Sequence, residues 1–228
     1  IVGRKHCIYR KWQGDKGVCK WAEIWGADAI IAQLTDIDVN ILDQLKIPVI
    51  VHDYKPRSKS VSNLTGDYDS TGVMAARFFF HKGYKSFAYY GFMDTVWMRE
   101  RGEGFKDTVR NMGYDVCFFD ERENTAGEKW NFNPEAVSEW LLALPKPIAI
   151  FACDDFYALQ ITEACKICNI NIPKDVAVLG VDNDQLLCSI SDPNLSSIEL
   201  DVQNGGYAAG KLIHEFIEKK VNSPVDIT

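Results

Sequence analysis

The sequence predicts an α/β fold of two lobes, each a parallel sheet flanked by helices, and three observations carry that prediction. Short apolar runs alternate with amphipathic stretches at close intervals, the mark of βαβ units whose crossovers make neighbouring strands run parallel. The strongest runs are apolar throughout: Pro48–His52 (PVIVH), Pro147–Cys153 (PIAIFAC) and Val176–Val181 (VAVLGV). Such runs suit strands covered on both faces. Finally, the strands outnumber what one small sheet holds, so two Rossmann-like lobes joined by chain crossings fit the 228 residues better.

Ile1–Lys20 is mixed and basic, without the apolar strand that opens a doubly wound sheet, so that strand and its helix are expected to precede it. Val18–Trp25 reads as a short helix closed by Gly26, Ala27–Gln33 as a buried strand, Ile37–Leu45 as a helix and Pro48–His52 as the next strand. The polar connection Lys55–Ser62 leads to a short strand near Asn63–Thr65. Asp69-Ser70-Thr71 offers a cap for the next helix, whose Val73, Met74, Ala76, Phe79 and Phe80 recur at helical spacing until Lys82-Gly83. Ser86–Phe92 is a strand, and from Asp94 the chain enters a helix that runs through Asn111 and closes at Gly113.

Tyr114–Phe119 is another strand, and the very polar Glu121–Lys129 a surface loop. Trp130–Leu144 reads as a helix with Pro134 near its first turn and Val137, Trp140, Leu141 and Leu144 on one face. The Pro147 strand, the helix Phe156–Cys168 and the Val176 strand form one more βαβ unit. Leu195–Leu200 is a strand, Val202–Lys219 an amphipathic helix with Ala209, Leu212, Ile213 and Phe216 inward, and Val225–Thr228 begins a last strand. No repeat of solenoid length interrupts this order.

Composition removes several function classes. The formal net charge is −7 and basic residues do not cluster, so the chain alone is poorly suited to phosphate backbones or anionic membranes. A leader pattern and a bilayer-length apolar run are missing, and seven scattered cysteines form no disulfide framework, which together point to a cytoplasmic setting. Cys165 and Cys168 form a C-x-x-C late in a helix, but no second pair or ligand histidine accompanies them, so no zinc or redox role is expected. No cofactor and no metal is expected, and His52 is read as structural.

Acids stand where three strands end: Asp53, the pair Asp154 and Asp155, and Asp182-Asn183-Asp184. Open α/β sheets bind ligands at the carboxyl ends of their strands, so these acids mark a polar-ligand site. Each can also serve as a helix N-cap.

Five segments in order resemble the ligand-binding module of the lac/galactose-repressor family: Ile47–Asp53, Arg101–Phe105 (RGEGF), Ala152–Leu159 (ACDDFYAL), Ile170–Asp184 and Leu195–Ile213. Trp97 ahead of Arg101, Trp130…Trp140-Leu141…Leu144-Pro145 and the GVDN at Gly180–Asn183 are most similar to the xylose-operon regulators of that superfamily. There a sugar sensor precedes an arabinose-regulator-type (AraC-type) helix-turn-helix domain. The resemblance implies a type I periplasmic-binding-protein-like fold with a hinge of several crossings. It implies a first lobe of residues 1–64 with 198–220 and a second of 65–197 with 221–228. The DNA-binding domain would lie outside this chain.

For the site, the resemblance implies Asp182 as an acceptor for vicinal sugar hydroxyls and Arg101 as a forked donor that also balances the acids. Trp97 would stack on the apolar face of a pyranose. Asp53 would reach the sugar from the first lobe. Of Asp154 and Asp155, one faces the sugar and the other caps the Phe156 helix, with Asp155 favoured for the ligand; Asp67 and Tyr68 rank lower. The alternatives are a cap of Gln185–Ser189 for Asp182, a helix-surface ion pair for Arg101 and a core position for Trp97. The implied function is a cytoplasmic, homodimeric, non-enzymatic sensor of a transcriptional regulator that binds a small sugar, D-xylose by resemblance, in the inter-lobe cleft. DNA is reached only through the attached domain. The alternatives are a transport-type sugar-binding protein and a metal-dependent α/β hydrolase, the latter opposed by Gln185 and Leu186 after Asp182-Asn183-Asp184.

Overall fold

The computed structural model describes residues 20, 22–33, 42, 45–52, 61–93, 95–119 and 133–228. Within these, the chain runs through β1 (Ile30–Gln33), β2 (Val49–His52), β3 (Ser62–Leu64), α1 (Tyr68–His81), β4 (Phe87–Tyr90), α2 (Val96–Asn111) and β5 (Val116–Phe118). It continues through α3 (Pro134–Ala143), β6 (Ile148–Ala152), α4 (Asp155–Ile167), β7 (Val176–Val181), α5 (Gln185–Ile190), β8 (Ser196–Ile198), α6 (Val202–Ile217) and β9 (Asp226–Ile227). The expected helix at Ile37–Leu45 and loop at Glu121–Lys129 fall mainly or wholly outside the described residues.

Two compact units emerge, Ile1–Gly66 with Asp201–Thr228 and Asp67–Leu200. The first carries a four-stranded parallel sheet in the order β1-β2-β3-β9. Ile50 of β2 packs with Ala209 and Leu212, the buried residues of α6. The pairing of Asn63 with Asp226 and Leu64 with Ile227 corrects the expectation that residues 221–228 belong to the second lobe.

The second unit holds a five-stranded parallel sheet in the order β5-β4-β6-β7-β8. Every residue of β4, β6 and β7 is buried, which is why these segments read as unbroken apolar runs. Aromatic rings fill the space around them: Phe105 of α2 lies 5.2 Å from Phe151 of β6 and 6.3 Å from Phe87 of β4, centroid to centroid. From β4 the chain steps outward to β5 and returns to the other side as β6, so the strand order reverses between β4 and β6. Such a reversal opens a crevice at the carboxyl ends of the two strands.

The helix boundaries follow local chemistry, with two corrections. Asp67, rather than Asp69, caps α1, accepting the Ser70 N–H at 3.1 Å. Asn133 caps α3 through the Ala136 N–H at 3.1 Å with Pro134 in the first turn, so that helix begins four residues later than its apolar pattern suggested. Gly83 and Gly113 follow α1 and α2 in left-handed conformations, φ +88° and +87°, as their positions predict.

Helices α1 and α2 approach backbone to backbone at Gly72 and Gly104. A methyl group on Gly72 would overlap the Arg101 carbonyl and the Phe105 amide, and one on Gly104 would overlap the Asp69 carbonyl. Because the obstructing atoms are backbone, they cannot rotate away. Gly72→Ala is therefore expected to cost about 1–3 kcal/mol, read as a lower urea midpoint at unchanged slope. A midpoint within error of wild type would show that the crossing relaxes freely.

Candidate functional site

Arg101 is the centre of the polar cluster at the reversal between β4 and β6. It sits in the second turn of α2, held down by the glycine crossing, and is only 3% exposed. One terminal nitrogen donates to the Cys153 carbonyl just past β6. The other lies 3.4 Å from Asp182 Oδ1 beyond the end of β7. The guanidinium carbon is 4.9 Å from the Trp97 ring centroid and 5.4 Å from that of Tyr68, so aromatic rings flank the charge. Its Nε is buried without a hydrogen-bond partner. A buried guanidinium with a spare donor beside partly exposed carboxylates can meet an incoming ligand oxygen.

Asp182 is set by an unusual backbone. It has φ +102° and Asn183 has φ +52°, conformations that asparagine and aspartate tolerate better than most side chains. Three consecutive amides pin this turn: Asp182 N–H donates to the Ile198 carbonyl at 2.9 Å, Asn183 N–H to Ser197 Oγ at 3.0 Å, and Asp184 N–H to Asp155 Oδ2 at 2.7 Å. The Asp182 side chain remains 48% exposed. Partial withdrawal from water raises its pKa first, with Asp155 and Asp184 adding to the rise and Arg101 opposing it. The cap of α5 is Asp184, which accepts the Leu186 and Leu187 amides at 2.9 and 3.0 Å. The capping alternative for Asp182 is thereby removed.

Asp154 and Asp155 have different partners. Asp154 caps α4 through the Tyr157 N–H at 2.8 Å. Its pKa is pushed up to about 6, by burial above all, then by Asp182, while Tyr157 N–H and Arg101 pull it down. Asp155 is 1% exposed and accepts the Asp184 N–H through Oδ2 at 2.7 Å. The sequence could not separate these neighbours, because both stand at the start of the same helix.

Of the other expected site residues, Trp97 joins the cluster as a half-buried ring against Arg101, and Tyr68 does so from the start of α1. Asp67 serves α1 as its cap. Asp53 lies outside the described residues. The Cys153 carbonyl was missed, since a main-chain acceptor leaves no mark in side-chain identity. Among the described residues no group of three or more His, Cys, Asp and Glu is placed to hold a metal ion, and no helix is long and apolar enough to cross a membrane. Cys165, buried with its thiol pushed up to about 12 by burial, and Cys168 are both free thiols.

Comparison with known proteins adds context. A family model described as a periplasmic binding protein-like domain matches residues 76–228. The chain is 27% identical over 208 residues to the xylose operon regulatory protein of Escherichia coli K12, covering 86% of this chain and 52% of that protein. It thus spans about half the length of the curated relatives it matches. A periplasmic binding protein/LacI transcriptional regulator from Alkaliphilus metalliredigens QYMF, complexed with D-xylulofuranose, superposes with a TM-score of 0.79 at 18% identity, over 94% of this chain and 79% of that one. The transcriptional regulator CelR–cellobiose complex superposes with a TM-score of 0.78 at 20% identity, over 93% and 66%. At these identities the superpositions establish the fold.

Proposed function

We propose, since the chain belongs to the family of periplasmic binding protein-like domains, that it is the effector-binding domain of a transcriptional regulator and that its effector is a small neutral sugar. The observation that carries this reading is the buried Arg101, with its orphan Nε, beside the carboxylates of Asp154 and Asp182. Carboxylates accept from vicinal hydroxyls and the guanidinium donates to a ring or hydroxyl oxygen, so one polyol satisfies all three groups. The half-buried Trp97 ring supplies an apolar face for C–H surface. D-Xylose is the first candidate, on the likeness to xylose operon regulatory proteins.

The protein is read as a cytoplasmic homodimer without catalytic activity. Sugar binding would favour one arrangement of its lobes, and an attached arabinose-regulator-type domain would carry the signal to DNA. A ligand shifts such an equilibrium only by its preference for one state, about 1.4 kcal/mol for each tenfold change.

Isothermal calorimetry with D-xylose, L-arabinose, D-ribose and D-glucose tests the reading. Saturable heat with at least one pentose, abolished in Asp182→Asn, is expected. Absence of heat and of any thermal shift across the panel would overturn it.

A further inference from the structure

We propose that Asp155 is a positioning residue whose buried carboxylate fixes the backbone turn that presents Asp182. The proposal rests on the sugar-site reading above for what Asp182 does, but its structural content can be tested without any ligand.

Asp155 has no other evident task. The cap of α4 is supplied by Asp154, so the adjacent carboxylate is not needed to start the helix. Burying a charge is costly unless donors surround it. Asp155 nevertheless stands 1% exposed with two donors on Oδ2, the Asp184 N–H at 2.7 Å and the Cys188 thiol at 3.5 Å. Its Oδ1 is buried without a partner and lies over Gly180, where a methyl group would overlap it. The missing Cβ at 180 is thus what admits the carboxylate beneath the turn.

The turn above it needs holding. Asp182 and Asn183 both occupy positive φ, which relaxes unless neighbouring structure over-determines it. Of the three amide anchors, those of Asp182 and Asn183 end on β8, whereas that of Asp184 ends on Asp155 in α4. Only this last is charge-assisted, and it ties the turn to the helix whose cap, Asp154, lies in the same polar cluster. A hydrogen bond at residue 184 therefore sets where the carboxylate at residue 182 meets Arg101.

The test uses the whole 228-residue chain with Asp155→Asn and Gly180→Ala, the second keeping the charge but displacing it. Three quantities are read: thermal midpoint, amide hydrogen exchange over residues 182–184, and D-xylose affinity by calorimetry. Asp155→Asn and Gly180→Ala are each expected to speed exchange at 182–184 and to weaken binding about tenfold in folded protein. A lower midpoint with wild-type exchange and affinity would make Asp155 merely structural and overturn the proposal. Should one variant fail to fold, the other is read alone by the same criteria; failure of both to fold also assigns Asp155 to the folding core and overturns the proposal. If wild-type protein binds no sugar, the sugar reading falls and the exchange comparison still decides the role of Asp155.

Discussion

Arg101→Met is expected to lower stability by about 3 kcal/mol and to abolish sugar binding. Breaking a buried ion pair by removing one partner typically costs about 3–5 kcal/mol, and the lower end applies here because Asp182 is half exposed and water screens it. The loss has several sources. The Cys153 carbonyl loses its donor, Trp97 and Tyr68 lose the cation between them, and Asp154 and Asp182 lose the charge that lowers both their pKa values. The pKa of Asp154 should accordingly climb further above about 6. Arg101→Lys should restore part of the stability but not the binding, since an ammonium lacks the planar fork and stacks poorly. Chemical denaturation beside calorimetry checks both. Wild-type affinity in either variant would show that the guanidinium does not touch the effector.

Much of this was legible in the sequence where one kind of interaction decides the outcome. β6 and β7 were visible because strands buried on both faces need unbroken apolar residues. The ends of α1 and α2 were visible because Gly83 and Gly113 take left-handed φ. Arg101 and Asp182 were picked out from their motifs and stand 3.4 Å apart. Where two interactions compete, the sequence was silent. Asp154 and Asp155 are chemically identical, and only the Asp184 amide and the bare face of Gly180 separate them. Asp182 was the alternative cap for α5, and only the Leu186 and Leu187 amides, which donate to Asp184, show that the cap lies two residues later. Gly72 carries no local sign of its purpose, because that purpose lies on another helix 29 residues later. β9 has two residues and no internal pattern, so nothing local could say which sheet it joins.

Asp154→Asn is expected to stabilise the ligand-free protein near neutral pH while weakening sugar binding about tenfold or more. Asparagine caps helices as well as aspartate does, so the bond from Tyr157 N–H survives the change. What disappears is a carboxylate ionised against its surroundings, since its pKa stands at about 6 instead of 3.8. A folded-state pKa raised in an acid means that the native protein holds its proton more tightly than the unfolded chain. This contribution is therefore most favourable below about pH 4, declines as pH rises from about 4 to about 6, and is constant above that. The gap corresponds to a penalty on the order of 3 kcal/mol at pH 7.5, offset by up to about 1 kcal/mol lost when a negative charge leaves the helix N-terminus. A net gain of about 1–2 kcal/mol is expected at pH 7.5, shrinking to nothing near pH 4. Urea unfolding at half-unit pH steps should show wild type losing stability between about pH 4 and 6 relative to the variant. Parallel curves, or a variant less stable at pH 7.5, would mean that Asp154 is held by its neighbours rather than strained by them. Such a site would give up no stability for its affinity, and the polar cluster would then be architecture instead of a place prepared for a guest.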